Sequence, residues 1–124
     1  MIKKITFAVI ALLSVLTLFT SCEKNGDYWY VIGVEYYSKI PTKYAPYEAI
    51  LVKYYDLKDT DLKFSNMSES EATKAATAIF DSMLAEMDNV SITWAEGEYY
   101  NVTLVMDHPK LKLIKEKGYS YNNH

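Results

Sequence analysis

The chain of 124 residues has no arginine; all 13 basic side chains are lysine. Arginine is the usual planar clamp for carboxylates and phosphates, so its absence weakens any role built on nucleotide or phosphosugar recognition. Cysteine occurs once, at Cys22, which excludes an internal disulfide. The two histidines are His108, beside a proline, and His124, at the terminus, and they leave little from which to build a metal centre or a nucleophile–base pair. The four glycines are scattered and form no phosphate-cradling loop, and the G-x-S-x-G pattern is missing. Internal repeats, low-complexity tracts and proline-rich or Gly/Ser linkers are also lacking.

What is present begins with a leader. Lys3 and Lys4 precede an uncharged run over residues 5–19 in which only Thr6, Ser14 and Thr17 are polar. A short basic segment followed by about 15 apolar residues is the physical form of a secretory signal. A retained transmembrane anchor needs roughly 20 apolar residues, and a buried core helix would not carry this lysine flank or the abrupt polar stretch that follows.

The run closes with Leu18, Phe19, Thr20, Ser21 and Cys22. This segment resembles the lipobox of bacterial lipoproteins. Phe19 stands where that pattern usually has leucine, and Leu18 is one place early. The resemblance covers residues 1–22. It implies that the Cys22 thiol takes a diacylglycerol as a thioether, that residues 1–21 are removed, and that the new amino terminus is acylated. Each buried methylene adds ~0.8 kcal/mol of membrane affinity, so two or more chains anchor stably. Lipidation would also consume a thiol that is a liability in an oxidising compartment. Glu23 stands where some Gram-negative lipoproteins carry a retention aspartate, which leans toward the outer membrane. The expected organisation is a signal peptide over 1–21, a polar tether over 22–27, one domain over 28–118 and a frayed tail over 119–124.

With Lys3 and Lys4 removed, 16 acidic side chains face 11 lysines, a net charge of about −5. An acidic surface repels nucleic acid, which is excluded as a partner. All 12 tyrosines follow Cys22, as do Trp29 and Trp94. Such rings suit strands and core edges, and they also suit binding faces. The partners expected are therefore the membrane, through the anchor, and a glycan stacked on outward tyrosines such as Tyr37 or Tyr99, or a protein at a sheet edge.

The patterning predicts an α+β fold, a small antiparallel sheet packed on one long helix. Residues 28–37 read as a strand with Tyr28, Tyr30, Ile32, Val34 and Tyr36 on one face. Residues 38–46, with Pro41 and Pro46, read as a loop. Residues 47–57 lean toward a strand, with a helix opened by Pro46 as the alternative, and a turn over 56–61 leads to a short strand at 62–64. Residues 68–88 form the clearest element. Ser68 and Glu71 make a capping-box pattern, and Ala72, Ala76, Ile79, Phe80, Met83 and Met87 fall on one stripe. Residues 90–106 read as a hairpin with a three-residue loop at 96–98, pairing Trp94 with Tyr100 and Ile92 with Val102. Residues 110–117 fit either a short helix stopped by Gly118 or a lysine-guarded edge strand.

The acidic residues yield weak sites. Asp56, Asp59 and Asp61 lack the glycine and closing glutamate of a calcium loop. Glu35, Glu96 and Glu98 are the only carboxylates suggesting a paired-acid hydrolase, with Glu96 and Glu98 expected in water at a hairpin tip. Asp81, Ser82 and Met83 match a short O-glycosylation acceptor inside the long helix. The expectation is a non-catalytic envelope protein with no cofactor, no metal, no catalytic residue and lipid attachment at Cys22. A structural subunit of an envelope complex is the alternative, and a hydrolase is a third.

Overall fold

The computed structural model describes residues 25–54 and 62–121. The expected signal peptide, Cys22, the aspartates at 56, 59 and 61, and His124 lie outside them. In chain order the elements are β1 (Gly26–Tyr37), α1 (Ala45–Tyr54), β2 (Leu62–Met67), α2 (Glu69–Met87), β3 (Tyr99–His108) and β4 (Lys112–Ser120). The four strands form one antiparallel sheet in the order β2-β1-β3-β4, an α+β fold as expected.

β1 is the spine. Its bulky residues favour a pleated, half-covered surface. It pairs with β3 from Trp29–His108 to Tyr37–Tyr99, and with β2 only over its first part, from Gly26–Met67 to Tyr30–Leu62. Strand alternation then sorts the side chains. Tyr30, Ile32, Tyr100, Val102, Leu104, Met106 and Tyr119 are buried on the helix-covered face. The other face carries Trp29, Gly33, Glu35, Tyr37, Asn101 and Thr103.

α2 covers the buried face. Ser68 caps it in both directions: its hydroxyl accepts from the Glu71 N–H at 3.2 Å, and the Glu71 carboxylate accepts from the Ser68 N–H at 3.2 Å. Ala72, Ala76, Phe80, Met83, Leu84 and Met87 are its buried residues. The expected stripe is there, with Leu84 fully in it and Ile79 at its margin. Each large apolar side chain buried this way contributes roughly 1.5–3 kcal/mol.

Three sequence expectations are corrected. The segment from 45 to 54 is a helix, not a strand. Tyr47 and Leu51 are buried one turn apart, and Ile50 and Tyr54 pack beside them, so the helical spacing outweighed the strand propensity of Ile50, Leu51 and Val52. The hairpin over 90–106 does not form. Both edges of β3 are taken by β1 and β4, which leaves no ladder for residues 90–94. Their in–out alternation survives without pairing, and Val90, Ile92 and Trp94 pack on the core as an extended cover. A tight turn follows, in which the Glu98 N–H donates to the Ala95 carbonyl at 3.0 Å and Gly97 holds φ at +89°. That is the third position of a type II turn, where glycine is needed. Finally, the tail is ordered further than expected: of the two readings open for 110–117 the edge strand forms, over residues 112–120. The strand runs past Gly118, so Tyr119, expected to fray, is only 3% exposed.

Candidate functional site

A cleft of about 630 Å³ lies at the end of the sheet where β1 terminates. It lies between the C-terminus of α2, the 90–94 cover and β4. Its floor is apolar, made by Tyr47, Met87, Val90, Ile92 and Trp94, and its rim is polar, with Asp88, Ser91, Lys117 and the Tyr119 hydroxyl. The volume falls in the range of small-molecule sites, and most of the surface the cleft exposes is polar, over rings and apolar side chains beneath.

Each rim group is positioned by its element. Asp88 is the C-cap residue of α2, and its carboxylate accepts from the Tyr119 hydroxyl at 2.7 Å. Burial pushes the Tyr119 hydroxyl well above the usual tyrosine range, and the neighbouring Asp88 charge adds to it. Tyr47 is pushed up to about 12, chiefly by burial and then by Tyr44 and Asp88. Both rings therefore stay neutral, and Tyr119 stays a donor. Lys117 reaches over the Tyr119 ring, with its Nζ 5.3 Å from the centroid. It makes no ion pair with a carboxylate among the described residues, unlike Lys43, Lys53, Lys112 and Lys115. Behind the cleft Trp94 packs on Tyr44, with centroids 5.7 Å apart, and Tyr44 and Tyr47 each approach Tyr100 at 4.8 Å. The floor is thus backed by a ring stack that holds it in place.

The wall beside the cleft is pinned by Glu98. This residue was expected in water at a hairpin tip; it is 1% exposed. Its Oε1 accepts from Lys43 Nζ at 2.7 Å and the Ala95 N–H at 2.9 Å. Its Oε2 accepts from the Lys39 N–H at 2.8 Å and the Ser38 hydroxyl at 3.0 Å. Lys43 also donates to the Thr93 carbonyl at 2.6 Å. The carboxylate is held down to about 2, first by Lys43 and then by the backbone donor of Lys39. With every lone-pair direction occupied, Glu98 serves as a clasp joining the β1–α1 loop to the 90–98 segment. Nothing in the sequence marks the pair, since Lys43 and Glu98 are 55 residues apart.

The remaining expectations fall as follows. Glu35 is exposed on the helix-free face, in a shallow depression of about 280 Å³ with Asn101, Thr103 and Glu116. Glu96 is exposed in the tight turn. The structure does not bring these two and Glu98 together as a set: Glu98 is turned inward to its four donors. Tyr37, 46% exposed, sits opposite the half-buried Tyr99 on the helix-free face, with Tyr121 near the same end. His108 stacks on Trp29 at 4.4 Å at the opposite end of the sheet. Ser82 is exposed on α2, next to Asp81, which pairs with Lys115 at 2.6 Å. Among the described residues no cluster of three or more metal-ligating side chains occurs, and no helix is long and apolar enough to cross a membrane.

In the sequence Trp94 falls in a strand-like alternation, Asp88 at a helix end and Tyr119 in the tail; only tertiary packing joins them. Comparison with protein-family models, with curated proteins and with solved structures finds no match to this chain.

Proposed function

We propose that this chain is a lipid-anchored protein of the bacterial cell envelope, on the outer membrane, that binds a saccharide without transforming it. The lipid anchor rests on the leader and on Cys22 at the end of its lipobox-like segment. The binding reading rests on one observation, the cleft in which Trp94 contributes to an apolar floor while Asp88, Ser91, Lys117 and Tyr119 offer hydrogen bonds along the rim. A sugar ring has an apolar face to lay on an indole and hydroxyls along its edge, and this lining complements both. Acidic net charge and the lack of arginine argue against nucleic acid and phosphorylated ligands.

Titration of envelope oligosaccharides against the mature protein, followed by tryptophan fluorescence, tests the reading. Trp94→Ala should weaken binding about tenfold or more, the scale of losing a buried aromatic anchor. Lys117→Met should weaken it less. The fold should survive both changes by circular dichroism. Binding that survives in Trp94→Ala but is lost in Tyr37→Ala would move the site to the outward tyrosines. Undiminished binding in all three would sink the aromatic reading.

A second reading is favoured by the sheet face opposite the helices, which no element covers among the described residues. There the chain would be a structural subunit of an envelope complex. Native protein solubilised in mild detergent would then migrate as a complex with a stoichiometric partner; a monomer would count against it.

A further inference from the structure

The sheet has a near end and a far end with respect to the anchor. The chain enters β1 at Gly26, four residues after Cys22. Four residues reach at most ~14 Å. β1 then runs 12 residues, roughly 40 Å, to Tyr37. The β3–β4 turn lies at the near end, since His108 pairs with Trp29, and the start of α2 lies there too, since Met67 pairs with Gly26. The cleft, lined by Asp88 and Tyr119, lies at the far end.

The near end has an unusual surface for a water-facing turn. Leu111 is 79% exposed at its tip and Leu113 is 54% exposed beside it. Trp29 lies at the same end of the sheet, across β3, stacked on His108 and with Lys63 Nζ 5.2 Å over its ring. Lys110 and Lys112 flank the turn, at 4.0 Å and 3.3 Å from the Glu69 carboxylate. A projecting leucine flanked by lysines, with a tryptophan at the same end of the sheet, is the composition that settles at a bilayer interface: the leucine enters the acyl boundary, the indole sits at headgroup depth and the lysine stems lie along the surface.

Resting on the reading that Cys22 is lipidated, we infer that the β3–β4 turn docks on the bilayer through Leu111, so the domain stands on its near end with the cleft held away from the membrane. The short tether favours this, because it limits how far the near end can stray from the headgroups and so makes even a weak contact persistent. The surface it fits is zwitterionic lipid, since the whole chain is acidic and the local lysines are already shared with Glu69.

The test uses the lipidated protein purified from membranes and reconstituted in phosphatidylcholine–phosphatidylethanolamine vesicles. Lipidation consumes the natural thiol, so Lys110→Cys and Glu96→Cys each offer a unique site for a nitroxide, and both positions are exposed. The label at 110 should show the oxygen accessibility of a membrane-immersed group, and the label at 96 that of water. Adding Leu111→Glu to the first variant should return its label to water values, and at an exposed position this change leaves the fold intact. Vesicle-floating protein whose label at 110 reads water would overturn the docking while leaving the anchor standing. Protein that does not float, with an unmodified residue 22 by mass spectrometry, would take down the anchor and the docking together.

Discussion

At the scale of single residues, Glu98 shows how a side chain that looks like a solvated acid becomes a structural centre. Four donors from two segments far apart in the chain converge on its two oxygens, and Lys43 balances its charge. Removing one partner of such a pair leaves the other buried and uncompensated. Glu98→Gln should therefore lower the thermal midpoint by several degrees, and Lys43→Met should do the same. The pH dependence has a definite sign. The carboxyl is held down to about 2 in the fold from an ordinary value of 4.5. Its stabilisation is complete above the ordinary value and is lost as pH falls toward 2. Thermal melts at stepped pH should show the native protein losing stability over that window. In Glu98→Gln that part of the acid slope should vanish. An unchanged slope in the variant would show that other carboxylates set the acid limit. Sequence could not disclose this role, because the donors come from residues 38–43 and 95, far apart in the chain, and an acid beside a turn glycine ordinarily points to water.

At the scale of elements, legibility followed locality. α2 was readable nearly to the residue, because the capping box and the 3.6-residue stripe are local signals that tertiary packing reinforced. Ser68→Ala should cost about 1 kcal/mol, the usual value of a cap, measured by urea denaturation. β1 was readable too, since its run of aromatic and β-branched residues has no helical spacing. The errors arose where one pattern admits two structures. The alternation over 90–94 is real, but alternation reports which side chains face inward and not whether a ladder exists. The pairing was decided by β1, some 70 residues away, which occupies one edge of β3. The 45–54 segment carried both a helical stripe and β-branched residues, and its two buried side chains, Tyr47 and Leu51, decided for the helix. A proline at the exposed position 49 discriminates the two. In a helix interior Ala49→Pro removes a backbone donor and clashes with the preceding turn, costing about 3 kcal/mol or more. On a solvent-facing edge strand it would cost far less. A large loss of urea stability, with Val52→Pro behaving alike, is the expected result.

At the scale of the whole molecule, the core is unusual in being held together by phenol rings. Tyr44, Tyr47, Tyr100 and Tyr119 are all buried at the cleft end and touch in sequence: Tyr44 on Tyr47, Tyr47 on Tyr100 and on Tyr119. Burial is the first cause of a raised ionisation range for each of them. Tyr44 and Tyr47 are pushed up to about 12, and Tyr100 and Tyr119 go higher. Exposed in the unfolded chain, these phenols ionise near the ordinary value of 10. Between there and the folded values the unfolded state binds fewer protons, so stability falls as pH rises. Because four coupled groups release protons together, the slope should be several times that of one tyrosine, and the fold should fail cooperatively between pH 10 and 12. Tyrosinate absorbance at 295 nm and far-ultraviolet circular dichroism, followed in one titration, should change at the same midpoint for this set. Tyr119→Phe removes one ionising group and keeps the ring, but it also leaves Asp88 without its donor. It should therefore lower stability at neutral pH and flatten the alkaline slope, and the crossing of the two stability curves measures how much of the slope Tyr119 carries. Tyrosinate release well before any loss of helical signal would mean that the ring stack opens to water while the sheet stands. The cleft floor would then be a separately mobile part of the molecule and not a fixed one.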